Sequence, residues 1–223
     1  DAVRSANLIC IHLAMHTATR LALELMPRIR ALNGGAHICF FGLYGPPNAD
    51  ALSAYAPCSV IGGEFEAEIT KLYRRLSVSG RWSSTEVTIS TEKLAFRTPE
   101  RGGLPSLDQY ASLTIGAETR IAGYTEASRG CKHLCRHCPV VPIYQGRFRV
   151  VPREVVLADV RAQVDAGARH ITFGDPDFLN GPRHALRVAE ALHGEFPQLS
   201  FDITAKVEHL VNHADLLPQL AKC

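Results

Sequence analysis

Short apolar runs and amphipathic stretches alternate along the first third of the chain. Asn7-Leu-Ile-Cys-Ile-His-Leu13 is apolar and β-branched, the pattern of a buried strand. From Thr17 to Leu32 the period lengthens to that of a helix, with Leu21, Leu25, Ile29 and Leu32 on one face and Asn33-Gly34-Gly35 as the stop. Ile38-Cys-Phe-Phe-Gly42 predicts a second strand, and Pro46-Pro47 leads into a short helix over 50–55. Cys58-Ser-Val-Ile61 predicts a third strand, running into Gly62-Gly63-Glu64 and a helix from Phe65 to Leu76. Such alternation predicts a parallel sheet covered by helices on both faces. Ligands of these sheets bind at the carboxyl ends of the strands.

Residues 77–120 break the rhythm. They are rich in Ser, Thr, Gly and Pro, with a short alternating run at Glu86-Val-Thr-Ile-Ser90 and a turn at Arg101-Gly-Gly-Leu-Pro105. This predicts a linker holding a small hairpin at most. The rhythm resumes with a strand at Ile121–Glu126, a helix from Arg153 to Ala166 ended by Gly167, and a strand at His170–Phe173. A helix from Pro182 to Phe196, with proline in its first turn, precedes a strand at Phe201–Ala205 and a further helix. Strand-helix repeated three times is the first half of a parallel barrel, which needs roughly 200 residues when complete. The expected division is 1–76, a linker over 77–120, and 121–223. The chain opens at Asp1 directly before a strand and stops at Cys223 just past a helical segment. It reads as an internal fragment.

Composition adds little. The 223 residues are 46% hydrophobic with a formal charge of +2, as in ordinary globular domains. No apolar run reaches the length of a membrane span, and no secretory leader is visible, so a cytoplasmic protein without a membrane partner is expected. Seven cysteines are an odd number, which argues against a disulfide framework. Cys10, Cys39 and Cys58 lie in strand-like runs and read as small core residues.

Cys131, Cys135 and Cys138 are different. They stand as C-x3-C-x2-C in Arg129-Gly-Cys-Lys-His-Leu-Cys-Arg-His-Cys-Pro139. Three soft thiolates on one loop can hold three irons of a cubane cluster and leave the fourth open. Zinc is the alternative, with His133 and His137 completing a tetrahedral site, although no second ligand pair follows at zinc-finger spacing. A two-cluster ferredoxin would space its cysteines differently.

Residues 121–223 resemble the core of the radical S-adenosylmethionine (SAM) superfamily at three places. The cysteine loop follows the first strand, Gly174-Asp175-Pro-Asp177-Phe178 the second, and Lys206-Val-Glu208 the third. The run from Tyr124 to Pro142 looks like the group named for a Cys-(selenocysteine or Cys)-Ala-Glu-Pro tail. Residues 1–76 are similar to the last strands of a cobalamin-binding domain, with Gly62-Gly63-Glu64 as its late turn. They lack the Asp-x-His-x-x-Gly loop that supplies a histidine ligand. The fold class this implies is α/β: a partial Rossmann-like unit followed by half of a (β/α) TIM-type barrel.

The resemblance implies a 4Fe-4S cluster on Cys131, Cys135 and Cys138, reductive cleavage of SAM, and an external electron donor of flavodoxin or ferredoxin type. It places His137 near the adenine and Gly174 and Asp175 at the SAM amino group. Asp177 reads as a turn and helix cap. Lys206 and Glu208 would face the barrel mouth, touching SAM or substrate, or else form a solvated pair. Cobalamin at Gly62, Gly63 and Glu64 is left open. The substrate is a small molecule or peptide that the sequence does not name. Residues 121–160 carry six basic side chains against Glu126, Glu154 and Asp159. Without aromatic interleaving, this charge suits the cluster and the SAM carboxylate better than a nucleic acid. The rival function is a non-catalytic Fe–S or zinc module.

Overall fold

The computed structural model describes residues 2–55, 57–79 and 85–223. The chain divides into two compact units. The first comprises Asp1–Leu94 and Leu134–Gln145, the second Ala95–His133 and Gly146–Cys223. The chain passes from the second unit into the first between His133 and Leu134, inside the cysteine loop, and returns at Gly146.

The first unit begins with a helical turn, α1 (Ala2–Ser5), followed by β1 (Leu8–His12), α2 (His16–Leu32), β2 (His37–Phe41), α3 (Ala49–Ser53), β3 (Cys58–Gly63), α4 (Phe65–Ser79) and β4 (Glu86–Ser90). The segment 134–145 adds α5 (Val141–Tyr144). The four strands form a parallel sheet in the order β1-β2-β3-β4. One face packs Met26, Ile38, Phe40, Leu52 and Val60, and the other packs Cys39, Ile61 and Leu72. Burial on both faces explains why the central strands read as unbroken apolar runs.

Three expectations change here. The stretch read as a linker contributes β4, whose Val60↔Val87 register extends the first sheet, while its residues 80–84 lie outside the described residues. The α2 face toward the core is Thr19, Ala22 and Met26, whereas Leu21 and Leu25 are about half exposed. Spacings of three and four residues put these side chains on one face of the helix. β1 is an edge strand, so its side chains are only partly covered and Cys10 is exposed; Cys39 and Cys58 are buried.

The second unit contains β5 (Ala111–Ile115), β6 (Glu118–Thr125), β7 (Ser128–Gly130), β8 (Phe148–Val150), α6 (Arg153–Asp165), β9 (His170–Phe173), α7 (Pro182–Glu195), β10 (Ser200–Asp202), α8 (Val207–Asn212) and α9 (Leu217–Leu220). Its sheet runs β10-β9-β6-β5. β6, β9 and β10 are parallel, as the repeated strand-helix pattern predicts, and β5 closes the edge antiparallel to β6. β5 too comes from the stretch expected to be a linker. β10 is shorter than expected, ending at Asp202. The core under α6 and α7 gathers Val156, Val160, Ile171, Phe173, Val188 and Leu192.

A buried polar knot holds α6 against β6. Asp159, 3% exposed at its side chain, takes two hydrogen bonds from the Arg101 guanidinium at 2.7 and 2.9 Å and a third from Thr125 Oγ1 at 2.8 Å. Gln163 donates from Nε2 to Tyr124 O at 3.0 Å and accepts the Tyr124 N–H on Oε1 at 2.8 Å. Gly123 is required here, because a Cβ would stand 2.5 Å from Gln163 Oε1.

Candidate functional site

The carboxyl end of β6 leads through Glu126 and Ala127 into β7, and Gly130 turns the chain at φ +72° into Cys131. Asp175, directly after Gly174 at the end of β9, fixes this approach. Its Oδ2 accepts the Ala127 N–H at 2.9 Å, and its Oδ1 takes a very short hydrogen bond from the Ser128 hydroxyl. Burial pushes the Asp175 carboxyl up to about 6, against the opposing pull of those two hydrogen bonds. The structure thus gives Asp175 a part in shaping the approach to the loop. Its carboxylate is 3% exposed and both oxygens are already used within the protein.

Gly174 has a separate reason to be glycine. A Cβ there would lie 1.7 Å from Tyr124 Oη and 2.1 Å from its Cζ, so the Tyr124 ring occupies the space a side chain would need. The Gly174 N–H extends the ladder to Thr125 O at 2.8 Å.

Cys131 is half-buried and belongs to the second unit. Its Sγ receives the His133 N–H at 3.5 Å and lies 3.8 Å from Asn180 Oδ1. Asn180, 3% exposed, also accepts the Lys132 N–H on Oδ1 at 3.3 Å and the Lys132 ammonium on its carbonyl at 2.6 Å. Lys132 in turn lies over the Phe148 ring. The Asn180 Nδ2 is buried and finds no hydrogen-bond partner among the described residues. Cys135 and Cys138, both half-buried, belong to the first unit, where the Cys138 N–H donates to Cys135 O at 3.1 Å in a tight turn before α5. His137, between them, is exposed. All three cysteines are free thiols.

Asp177 caps the turn after β9, its Oδ1 accepting the Leu179 N–H at 3.1 Å. Lys206 precedes α8 and Glu208 lies in its first turn, not in a strand; their side chains pair at 2.5 Å. That pairing draws the Glu208 carboxyl below its ordinary value. Lys206 also approaches His133 Nδ1 at 3.1 Å, and His133 Nε2 stands 2.9 Å from His209 Nε2. The sequence points to none of this His133–His209 contact, whose partners are 76 positions apart.

The Gly62-Gly63-Glu64 turn closes on its own unit. A Cβ on Gly62 would meet Pro46 at 2.5 Å, and Gly63, at φ +77°, would place one 1.9 Å from Ser90 O. Glu64 is 1% exposed, and its N–H donates to Ser90 O at 2.8 Å. These residues are thus explained by packing against β4, which makes them no evidence for a ligand by themselves.

A cavity of about 460 Å³ in the second unit is lined largely by apolar groups including Leu104, Tyr110, Tyr124 and Ala166, and touches none of the loop cysteines. Among the described residues no helix is long and apolar enough to cross a membrane.

No family model matches the chain. Among characterised proteins, it is 27% identical over 109 residues to a tRNA-2-methylthio-N(6)-dimethylallyladenosine synthase of Desulfitobacterium hafniense, a match covering 47% of this chain and 24% of that protein. It is 39% identical over 61 residues to the ribosomal protein uS12 methylthiotransferase RimO of Geobacter sulfurreducens, covering 27% of this chain and 13% of that protein. The chain therefore spans about a quarter or less of the length of these relatives. Among solved structures, the radical SAM methyltransferase TsrM of Kitasatospora setae, with tryptophan and a SAM analogue bound, matches with a TM-score of 0.58 at 14% identity. That match covers 87% of this chain and 42% of TsrM. TsrM with cobalamin and a [4Fe-4S] cluster matches at 0.56. At this identity the likeness is one of fold, and it spans both units.

Proposed function

We propose that this chain, which is related to the radical SAM superfamily, is part of an enzyme that carries a 4Fe-4S cluster on Cys131, Cys135 and Cys138 and cleaves SAM reductively. The observation that carries the reading is the loop. It offers three free, half-buried thiols within one short segment, beyond the carboxyl end of a strand in a parallel sheet. The donor set suits iron and sulfide.

When bound, such a cluster supplies the electron and the open iron for SAM. The chain's own residues prepare the place. Lys132 and Asn180 fasten the start of the loop, and Asp175 ties down the strand that feeds it. Gly174 and Asp175, at the carboxyl end of β9, are assigned to the SAM amino group. His137, being exposed, is free to stack on an adenine. Lys206 and Glu208 form an ion pair at the same strand ends and are assigned to SAM or substrate.

The remaining assignments follow from the resemblance. The first unit takes cobalamin without a histidine ligand, a reading supported by the fold match to cobalamin-bound TsrM. The electron donor is of flavodoxin or ferredoxin type, the substrate a small molecule or peptide, and the location cytoplasmic. The run from Tyr124 to Pro142 assigns the chain to the Cys-(selenocysteine or Cys)-Ala-Glu-Pro group. The test is anaerobic reconstitution with iron and sulfide. Four irons per chain are expected, and replacing any one loop cysteine by Ala should abolish the cluster's visible absorbance. A full cluster in Cys135→Ala would refute the assignment.

A further inference from the structure

We infer that Cys10 and Cys39 form a reversible oxidation site, in which Cys10 reduces hydrogen peroxide and Cys39 resolves it as a disulfide joining β1 to β2. The two residues stand directly opposite each other in the parallel register of these strands, so their side chains leave the sheet on the same face. Neighbouring strands lie about 4.8 Å apart, inside the Cα separation of about 4.4–6.8 Å that a disulfide spans. That face is the one on which Cys39 packs with Ile61 and with Leu72 of α4. Cys58 is not placed to compete. It pairs with Ile38 and packs with it on the opposite face of the sheet.

The two thiols are unequal in the way such a pair requires. Cys39 is fully buried, whereas Cys10 is exposed and opens on a cavity of about 700 Å³ lined by Asn7, Leu8, His37, Tyr73 and Leu76. The hydrogen bond between the thiols lowers Cys10 below its ordinary value, while the same bond and burial raise Cys39. The exposed member is the better nucleophile, and the buried one keeps its proton until it is needed. The Cys10 thiolate attacks one peroxide oxygen, the O–O bond breaks, a sulfenic acid forms, and the other oxygen leaves as water. The Cys39 sulfur then attacks the sulfenic sulfur. The S–S bond forms as the S–O bond breaks, and the Cys39 proton leaves in a second water. Two thiols thus give two electrons to one peroxide. Cys10 keeps one end of the bridge exposed, and exposed disulfides are the readily reduced ones, which makes the step reversible.

The test uses the intact chain, metal-free and fully reduced, treated anaerobically with hydrogen peroxide. Remaining thiols are alkylated and the digest is read by mass spectrometry. The readout is a peptide linking Cys10 to Cys39, so the outcome does not depend on what the loop cysteines bind. The linked peptide is expected, with Cys10 oxidised at least about tenfold faster than Cys58, and dithiothreitol should restore both thiols. Cys58→Ser should leave the link intact. Cys39→Ala, its fold checked by circular dichroism, should leave Cys10 as a sulfenic acid that dimedone traps. A chain in which Cys39 stays reduced, in which Cys39 pairs with Cys58, or in which Cys10 joins two chains instead would overturn the proposal.

Discussion

Asp175→Asn should make the protein more stable at pH 8 and leave it nearly unchanged at pH 4. Burial raises the carboxyl from an ordinary 3.8 to about 6 in the fold. A group whose folded value is raised gives its full stabilising contribution below its unfolded value and loses it as pH rises through the folded one. The window is therefore about pH 4 to 6. A displacement of about two pH units corresponds to about 3 kcal/mol lost by pH 8. An amide removes the charge and preserves the contacts: Oδ1 accepts the Ala127 N–H, and Nδ2 donates to the Ser128 hydroxyl, which can also accept. The neutral amide stands in for the protonated carboxyl at both pH values, so the variant should match the parent near pH 4 and exceed it by about 3 kcal/mol at pH 8. Urea denaturation of the metal-free chain, followed by circular dichroism, measures both proteins at pH 4 and pH 8. The difference between them isolates residue 175 from every other titrating group. A variant no more stable than the parent at pH 8, or a difference that does not change with pH, would refute the reasoning.

Removing Arg101 should leave Asp159 buried with a charge it cannot share, so Arg101→Ala should cost about 3 kcal/mol in the same denaturation assay. Gly174→Ala should cost about 2 kcal/mol by driving a methyl into the Tyr124 ring, and Tyr124→Ala in the same chain should recover much of it, as a double-mutant cycle would show. The combined Cys10→Ser, Cys39→Ser and Cys58→Ser chain should keep its reconstituted iron and lose stability only, because Cys39 and Cys58 are buried in the first sheet and none of the three belongs to the loop. Iron analysis decides this, and loss of iron would place the cluster elsewhere.

The fold was legible where burial is one-sided or complete. β2 and β3 are short apolar runs because both faces of their sheet are buried, and the bounds of β2, β3 and β9 fall within a residue or two of those expected. β4 was not legible as sheet, because Glu86-Val-Thr-Ile-Ser90 alternates in a polar context and its partner β3 lies more than twenty residues earlier. The two apolar stripes of α2 look equivalent in sequence; only tertiary packing selects Ala22 and Met26 over Leu21 and Leu25.

At the candidate site, spacing alone marks Cys131, Cys135 and Cys138, since three thiols so close have few uses. The contact of Asp175 with Ser128 was not legible, because the two are 47 positions apart. Nor could the sequence pair His133 with His209, or show that Asn180 fastens Lys132, for both depend on how the loops after β7, β9 and β10 converge.

The central claim is tested most directly by electron paramagnetic resonance of the reduced, reconstituted chain before and after addition of SAM. A three-cysteine cluster with an open iron should give a four-iron signal that shifts when SAM binds. An unchanged signal, or a chain that binds zinc at the loop cysteines and takes up no iron, would contradict it.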